Sequence, residues 1–167
     1  MRFSAFLMLS LAFAGCAGTY SWQSQVPERM RTVAVPVFRN ESSVTEFGSI
    51  ATRQLLREFQ REGTFKVAPV DACALEIQGV VKRVNVDMLG YNRRAGLRIA
   101  NYDIFAEVEI TVVDKTSGKL LVDNKIYNAK ATFIANDDYA TSRRDASGRL
   151  AEDLARQVVD DVLDMKW

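Results

Sequence analysis

Through residues 102–114 apolar and polar positions alternate. Ile104, Ala106, Val108, Ile110 and Val112 fall on one parity, with Asp103, Glu107, Glu109 and Thr111 on the other. A period of two sends the two sets to opposite faces of a strand, so this segment reads as a half-buried strand of an antiparallel sheet. Asp114-Lys115-Thr116-Ser117-Gly118-Lys119 follows as a hairpin loop with its glycine late. Residues 120–135 return antiparallel, carrying Val122, Ile126, Tyr127, Phe133 and Ile134. The strand before them, residues 74–88, holds Leu75 and Ile77 on one parity but Val84 and Val86 on the other. The phase therefore slips near Gly79-Val80-Val81, which predicts a β-bulge.

Two stretches carry the helical period instead. Within residues 44–62, Phe47, Ile50, Ala51, Leu55 and Phe59 form one stripe, and Gly63 suits a left-handed terminator. Near the end, Leu150, Ala151, Leu154, Ala155, Val158, Val159, Val162 and Leu163 form a broader stripe, with Asn136 or Ser142 placed to cap it. Residues 31–38 are β-branched and apolar, and Pro36 makes them an edge strand or marks where the ladder ends. With the short strand at 65–68 they bracket the first helix in a right-handed β-α-β start. The sum is an α+β fold, two helices on one face of a mixed, mostly antiparallel sheet of about four strands, in one domain over residues 31–167.

The first apolar run is of another kind. After Arg2, residues 3–13 are apolar but far shorter than the ~20 residues a membrane-spanning helix needs. Leu11-Ala12-Phe13-Ala14-Gly15-Cys16 closes the run with small residues before a thiol, the pattern of a lipoprotein signal. Residues 1–15 thus read as a signal peptide, Cys16 as the acylated first residue of the mature chain, and residues 16–30 as a polar tether. The body meets the membrane through acyl chains alone.

Composition narrows the chemistry. With 22 basic against 21 acidic residues there is no surplus to hold nucleic acid. The chain has no histidine, which removes Ser-His and Cys-His pairs, His-based zinc sites and the commonest general base. No metal or cofactor is expected. Cys73, left without an intramolecular partner if Cys16 is acylated, reads as a core residue. Asp87, Asp103, Glu107, Glu109 and Asp114 read as the wet side of the sheet, and Asp160, Asp161 and Asp164 as an exposed helix face. Arg143-Arg144 reads as a small surface spot. The connection over residues 90–101 is longer than a usual hairpin loop and holds Arg93, Arg94 and Arg98 with no acid. The stretch reads either as a solvated connector or as an anion-docking loop, since guanidinium forks suit phosphate, with these arginines as the candidate contacts.

Gly18-Thr19-Tyr20 after the cysteine, Thr32-Val33-Ala34-Val35-Pro36-Val37-Phe38-Arg39-Asn40-Glu41-Ser42, then Gly63-Thr64-Phe65-Lys66-Val67, Asp71-Ala72 and Ala151-Glu152-Asp153-Leu154-Ala155 follow in order. Together they resemble the outer-membrane lipopolysaccharide-assembly lipoproteins of the LptE family, and its non-proteobacterial branch in particular. The resemblance implies no enzymatic activity. It implies a body that plugs and helps assemble the LptD β-barrel and contacts lipopolysaccharide (LPS) bound for the outer leaflet. It also implies a lipid-anchored place on the periplasmic side of the outer membrane, in keeping with Ala17 rather than Asp after the lipidated cysteine. The stretch from Val33 to Ser42 is also similar to lipoproteins of the curli-secretion and peptidoglycan-synthase activator families, which would make the chain a periplasm-facing binding module. Replacing Cys16→Ser should leave the protein unacylated and mislocalised. Normal outer-membrane fractionation of that variant would remove the anchor from the account.

Overall fold

The computed structural model describes residues 26–94, 97–135 and 138–167, those at 91–94 and 97–99 by their backbone alone. The strands are β1 (Thr32–Ala34), β2 (Arg39–Asn40), β3 (Lys66–Val67), β4 (Leu75–Arg94), β5 (Leu97–Asp114) and β6 (Leu120–Ala135). The helices are α1 (Phe47–Glu62) and α2 (Tyr139–Leu163). One mixed sheet of six strands runs β3-β1-β4-β5-β6, and β2 also pairs with β4. The β1, β2 and β3 pairings are parallel; the long β4-β5-β6 meander is antiparallel.

Six strands replace the expected four or so because the N-terminal segment is broken. Val33 and Ala34 pair with Leu75 and Glu76, and pairing resumes only at Arg39 with Val80. Pro36, which has no N–H to give a ladder, lies in the gap. So does Phe38, whose N–H donates instead to the buried Thr52 Oγ1 on α1 at 3.0 Å. The Phe38 ring lies over Gly79, where an added Cβ would stand 2.6 Å from ring carbons. Its carbonyl oxygen would be 2.8 Å from a Cβ at Gly48, near the start of α1. Gly79 is therefore there to seat an aromatic ring. The bulge that shifts the phase of β4 lies just beyond it, between Val81 and Arg83.

Both helices cover one sheet face. Phe47, Ala51, Leu55 and Phe59 of α1 are buried together with Leu150, Ala151, Leu154, Ala155, Val158, Val159 and Val162 of α2. They meet Leu75, Ile77, Val81, Ile104, Val108, Ile110 and Val112 of the sheet. Ala129 and Ala135 on β6, also buried, are small enough to let α2 lie close. Gly63 ends α1 at φ 86°, donating its N–H to the Phe59 carbonyl at 3.2 Å. The cap of α2 is Asp138, which accepts from the Thr141 N–H at 3.0 Å, rather than Ser142; Asn136 lies outside the described residues.

Three further expectations change. Val26 and Met30 are buried in the core, so the segment expected to be tether packs from Val26 onward. Cys73 is half-buried outside the core and its thiol donates to the Val70 carbonyl at 3.2 Å; burial pushes the thiol's pKa up. The connection over 90–101 is ladder rather than loop, since pairing continues through Gly90–Asn101 to Arg94–Leu97, with Leu89 absorbed at a second register shift.

The β5-β6 turn behaves as read. Asp114 Oδ1 accepts from the Thr116 N–H at 2.8 Å and the Ser117 N–H at 3.3 Å, and Gly118 takes φ 70°. Bonds from the Thr116 and Ser117 side chains, ahead of those from their N–H groups, hold the Asp114 carboxyl at about 2.

Gly79→Ala should destabilise the fold by about 1–3 kcal/mol, because the new methyl must displace the Phe38 ring. Urea unfolding measures it, and an unchanged midpoint would mean the ring is not seated there. A lowered carboxylate pKa stabilises above the unfolded value and is lost as pH falls toward the folded one. The stability gap between wild type and Asp114→Asn should therefore be full above 3.8 and close as pH falls toward about 2. Thermal melts across that range check it.

Candidate interaction surfaces

The helices leave the other sheet face open; Asp87, Asp103, Glu107 and the half-buried Glu109, paired with Val80 and Ile126, lie on its strands, and Asp114 lies at the β5-β6 turn. Asp103, largely covered, is held by Lys130 at 2.5 Å and accepts from Thr132 Oγ1 at 2.7 Å. Arg83 reaches Glu107 across β4-β5 at 2.8 Å, and Lys115 reaches Glu76 at 2.8 Å. Lys82, at the bulge, pairs with Glu41 at 2.9 Å, and Arg39 joins the same carboxylate at 3.0 Å. The Lys130 bond, with Thr132, holds Asp103 below the usual carboxylate range; Lys115, with Gln78, does the same for Glu76. A general acid needs the opposite shift. Asp87 faces Asp103 in register and is exposed. The face is thus a lattice of cross-strand charge pairs set among the exposed Ile126 and Ile134.

Asp161 departs from the exposed-helix reading. It ties α2 to the edge strand, accepting from Tyr127 Oη at 2.6 Å and pairing with Lys125. Burial would raise its pKa, but the Lys125 and Tyr127 bonds prevail and lower it. Arg143 bridges to Glu46, just before α1, at 3.1 Å. Its neighbour Arg144 lines a groove between the helices that the sequence reading did not find. Its signal was present in Arg53 and Arg57, spaced i,i+4 on α1, opposite a glycine inside α2.

Beyond Ala100–Ala135, the last β5-β6 pair at that end, β4 and β5 continue as a two-stranded ribbon. Arg93 and Arg98 are register partners in it, and Arg94 pairs with Leu97. Their side chains, and the whole of Cys16, lie outside the described residues. At the ribbon's root Met88 and Leu89 are exposed, as is Tyr139, which meets Tyr102 edge-on with ring centroids 5.1 Å apart. β1 pairs at the opposite end of β4, with Leu75 and Glu76. At ~3.3 Å per residue, the N-terminal start of the body and the ribbon tip stand roughly 60 Å apart along that strand.

Among the described residues no helix is long and apolar enough to cross a membrane, and no three Cys, Asp or Glu converge as a metal site.

A model of the LptE family, described as lipopolysaccharide-assembly, matches residues 30–162. Comparison with curated proteins returned no match. Among solved structures, a hypothetical protein from Chlamydia trachomatis superposes with a TM-score of 0.55 at 13% identity, covering 80% of this chain and 96% of that one. A neuraminyllactose-binding hemagglutinin homolog from Helicobacter pylori gives 0.51 at 12% identity, covering 84% and 87%. At such identities the likeness concerns the fold, two helices on one mixed sheet. The family match spans that body nearly from end to end, and the chain belongs to the LptE family of outer-membrane lipopolysaccharide-assembly lipoproteins.

Proposed function

We propose that the protein is a lipid-anchored plug for an LptD-like outer-membrane β-barrel, which it helps to assemble, and that it assists LPS on its way to the outer leaflet. The observation that carries this is the family match over residues 30–162. The open sheet face supports it. A barrel lumen is polar, and the charge pairs of Arg83–Glu107 and Lys130–Asp103 offer a surface that can exchange internal bonds for bonds to such a wall. An apolar face would suit a lumen poorly.

Cys16 carries the acyl chains and sets the body on the periplasmic side. The ribbon lies at the end of β4 away from the anchored start, and we assign Arg93, Arg94 and Arg98 on it to contacts with LPS phosphates. No catalytic residue and no cofactor enter this role. The alternative, a periplasm-facing module of the curli-secretion or synthase-activator kind, calls for a repeated β-α unit in the second half. That half consists instead of the long antiparallel β4, β5 and β6 followed by α2.

Purification of the native lipoprotein from outer-membrane extracts in mild detergent should bring down a large β-barrel in near-equal amount. Recovery of a peptidoglycan synthase without a barrel would move the function to the alternative.

A further inference from the structure

A groove of about 530 Å³ opens between the helices, lined by Glu46, Ile50, Arg53, Gln54, Arg57, Arg144 and Gly148. Its charge is one-sided. Glu46 is already engaged by Arg143 at 3.1 Å, so the lining carboxylate is neutralised from outside the groove. Arg57 donates to Gln54 at 3.4 Å, and Gln54 in turn donates to the Gly148 carbonyl on α2 at 3.4 Å, which ties the two helices together at this point. Arg53 and Arg144 make no ion pair or side-chain hydrogen bond among the described residues. Asp138, held low first by Thr141, feels Arg144 only as a lesser influence.

Several arginines outside the groove are held by carboxylates, Arg39 by Glu41, Arg61 by Glu58, Arg83 by Glu107 and Arg156 by Glu152, whereas Arg29, Arg31 and Arg149, without a carboxylate partner among the described residues, do not line this concavity. Leaving like charges together in one concavity is unfavourable for the isolated protein.

Gly148 supplies a second, independent observation. It sits inside α2, where glycine costs about 0.5–1 kcal/mol relative to alanine. An added Cβ there would meet nothing within 4 Å, so close helix packing does not require the glycine. Nor does the backbone, because Gly148 is not among the positive-φ glycines. What the missing side chain does is keep the groove open beside Arg144, one turn earlier on the same helix face.

We infer that this groove binds a phosphate-bearing group, with Arg53, Arg57 and Arg144 as its guanidinium donors. Three planar, solvent-accessible forks lining one concavity suit a tetrahedral dianion or a pair of adjacent phosphates. The half-buried Ile50 in the lining gives an apolar contact for the carrier of that phosphate. The inference rests on the groove itself and does not require the barrel partnership.

The test is calorimetric titration of the full lipoprotein in detergent with two probes, inorganic pyrophosphate and micelles of a bisphosphorylated glycolipid, with the dephosphorylated glycolipid as reference. The Arg53→Gln/Arg144→Gln double variant and, separately, Gly148→Leu should each weaken phosphate-dependent binding about tenfold or more without lowering Tm; tenfold corresponds to about 1.4 kcal/mol. Arg156→Gln, outside the groove, should bind as wild type. Pyrophosphate binding that the groove variants lose identifies a free anion, and loss seen only with the glycolipid identifies a headgroup; either supports the site. Wild-type affinity in both groove variants overturns it. So does absence of phosphate-dependent binding by wild type, or binding abolished by replacing Arg93, Arg94 and Arg98 with Glu while the groove variants retain it.

Discussion

The seat of Phe38 on Gly79 is the contact on which the architecture depends. The chain must cross from the parallel edge into α1 while Pro36 interrupts the hydrogen bonding, and a buried N–H left unpaired at this break would cost about 1–3 kcal/mol. Thr52 accepts that N–H, Gly48 lets the Phe38 carbonyl approach α1, and Gly79 gives the ring a flat place on β4. One side chain thus fixes helix, edge and central hairpin relative to one another. Burying a phenylalanine contributes about 1.5–3 kcal/mol by itself, so the break is offset locally and β2 can resume pairing at Val80.

With one face closed by this arrangement, the open face is free to be polar. Its charges are cross-strand partners whose cations stay exposed, and such pairs contribute little to stability in water. Their value lies in what they allow the surface to meet. A body whose core is finished without the open face can present that face to a polar wall and exchange one set of hydrogen bonds for another. That suits a family whose members work in lipopolysaccharide assembly at the outer membrane. The ribbon and the groove between the helices extend the same logic, since each sets cationic residues apart from the packed core.

Much of this was legible from residue types. The alternation from Ile104 to Val112 gave β5 its faces because a half-buried strand permits little else, and Gly63 marked the end of α1 because its φ of 86° favours glycine. Other features were hidden for physical reasons. Gly79 looked like a bulge residue, since nothing local says that an aromatic residue forty-one positions earlier will lie on it. Residues 90–101 read as a long connecting loop, yet the ladder runs on through Gly90 to Arg94 because Leu89 takes up the extra residue. Cys73 read as core from its place before a strand, but that strand begins only at Leu75, and the 3-10 turn before it leaves Cys73 half-buried. The groove between the helices needed tertiary structure, because Arg53 and Arg144 are ninety-one residues apart in the chain. The ribbon arginines were singled out from charge alone, and their assignment still rests on that.

The central claim is that the polar sheet face of a membrane-anchored body rests inside a larger β-barrel. Photo-crosslinking from position 128, an exposed β6 residue on that face, probes it in intact cells. The account predicts one dominant adduct with a large outer-membrane barrel protein. Adducts only with soluble periplasmic proteins, or none in cells where the lipoprotein is correctly localised, would contradict it.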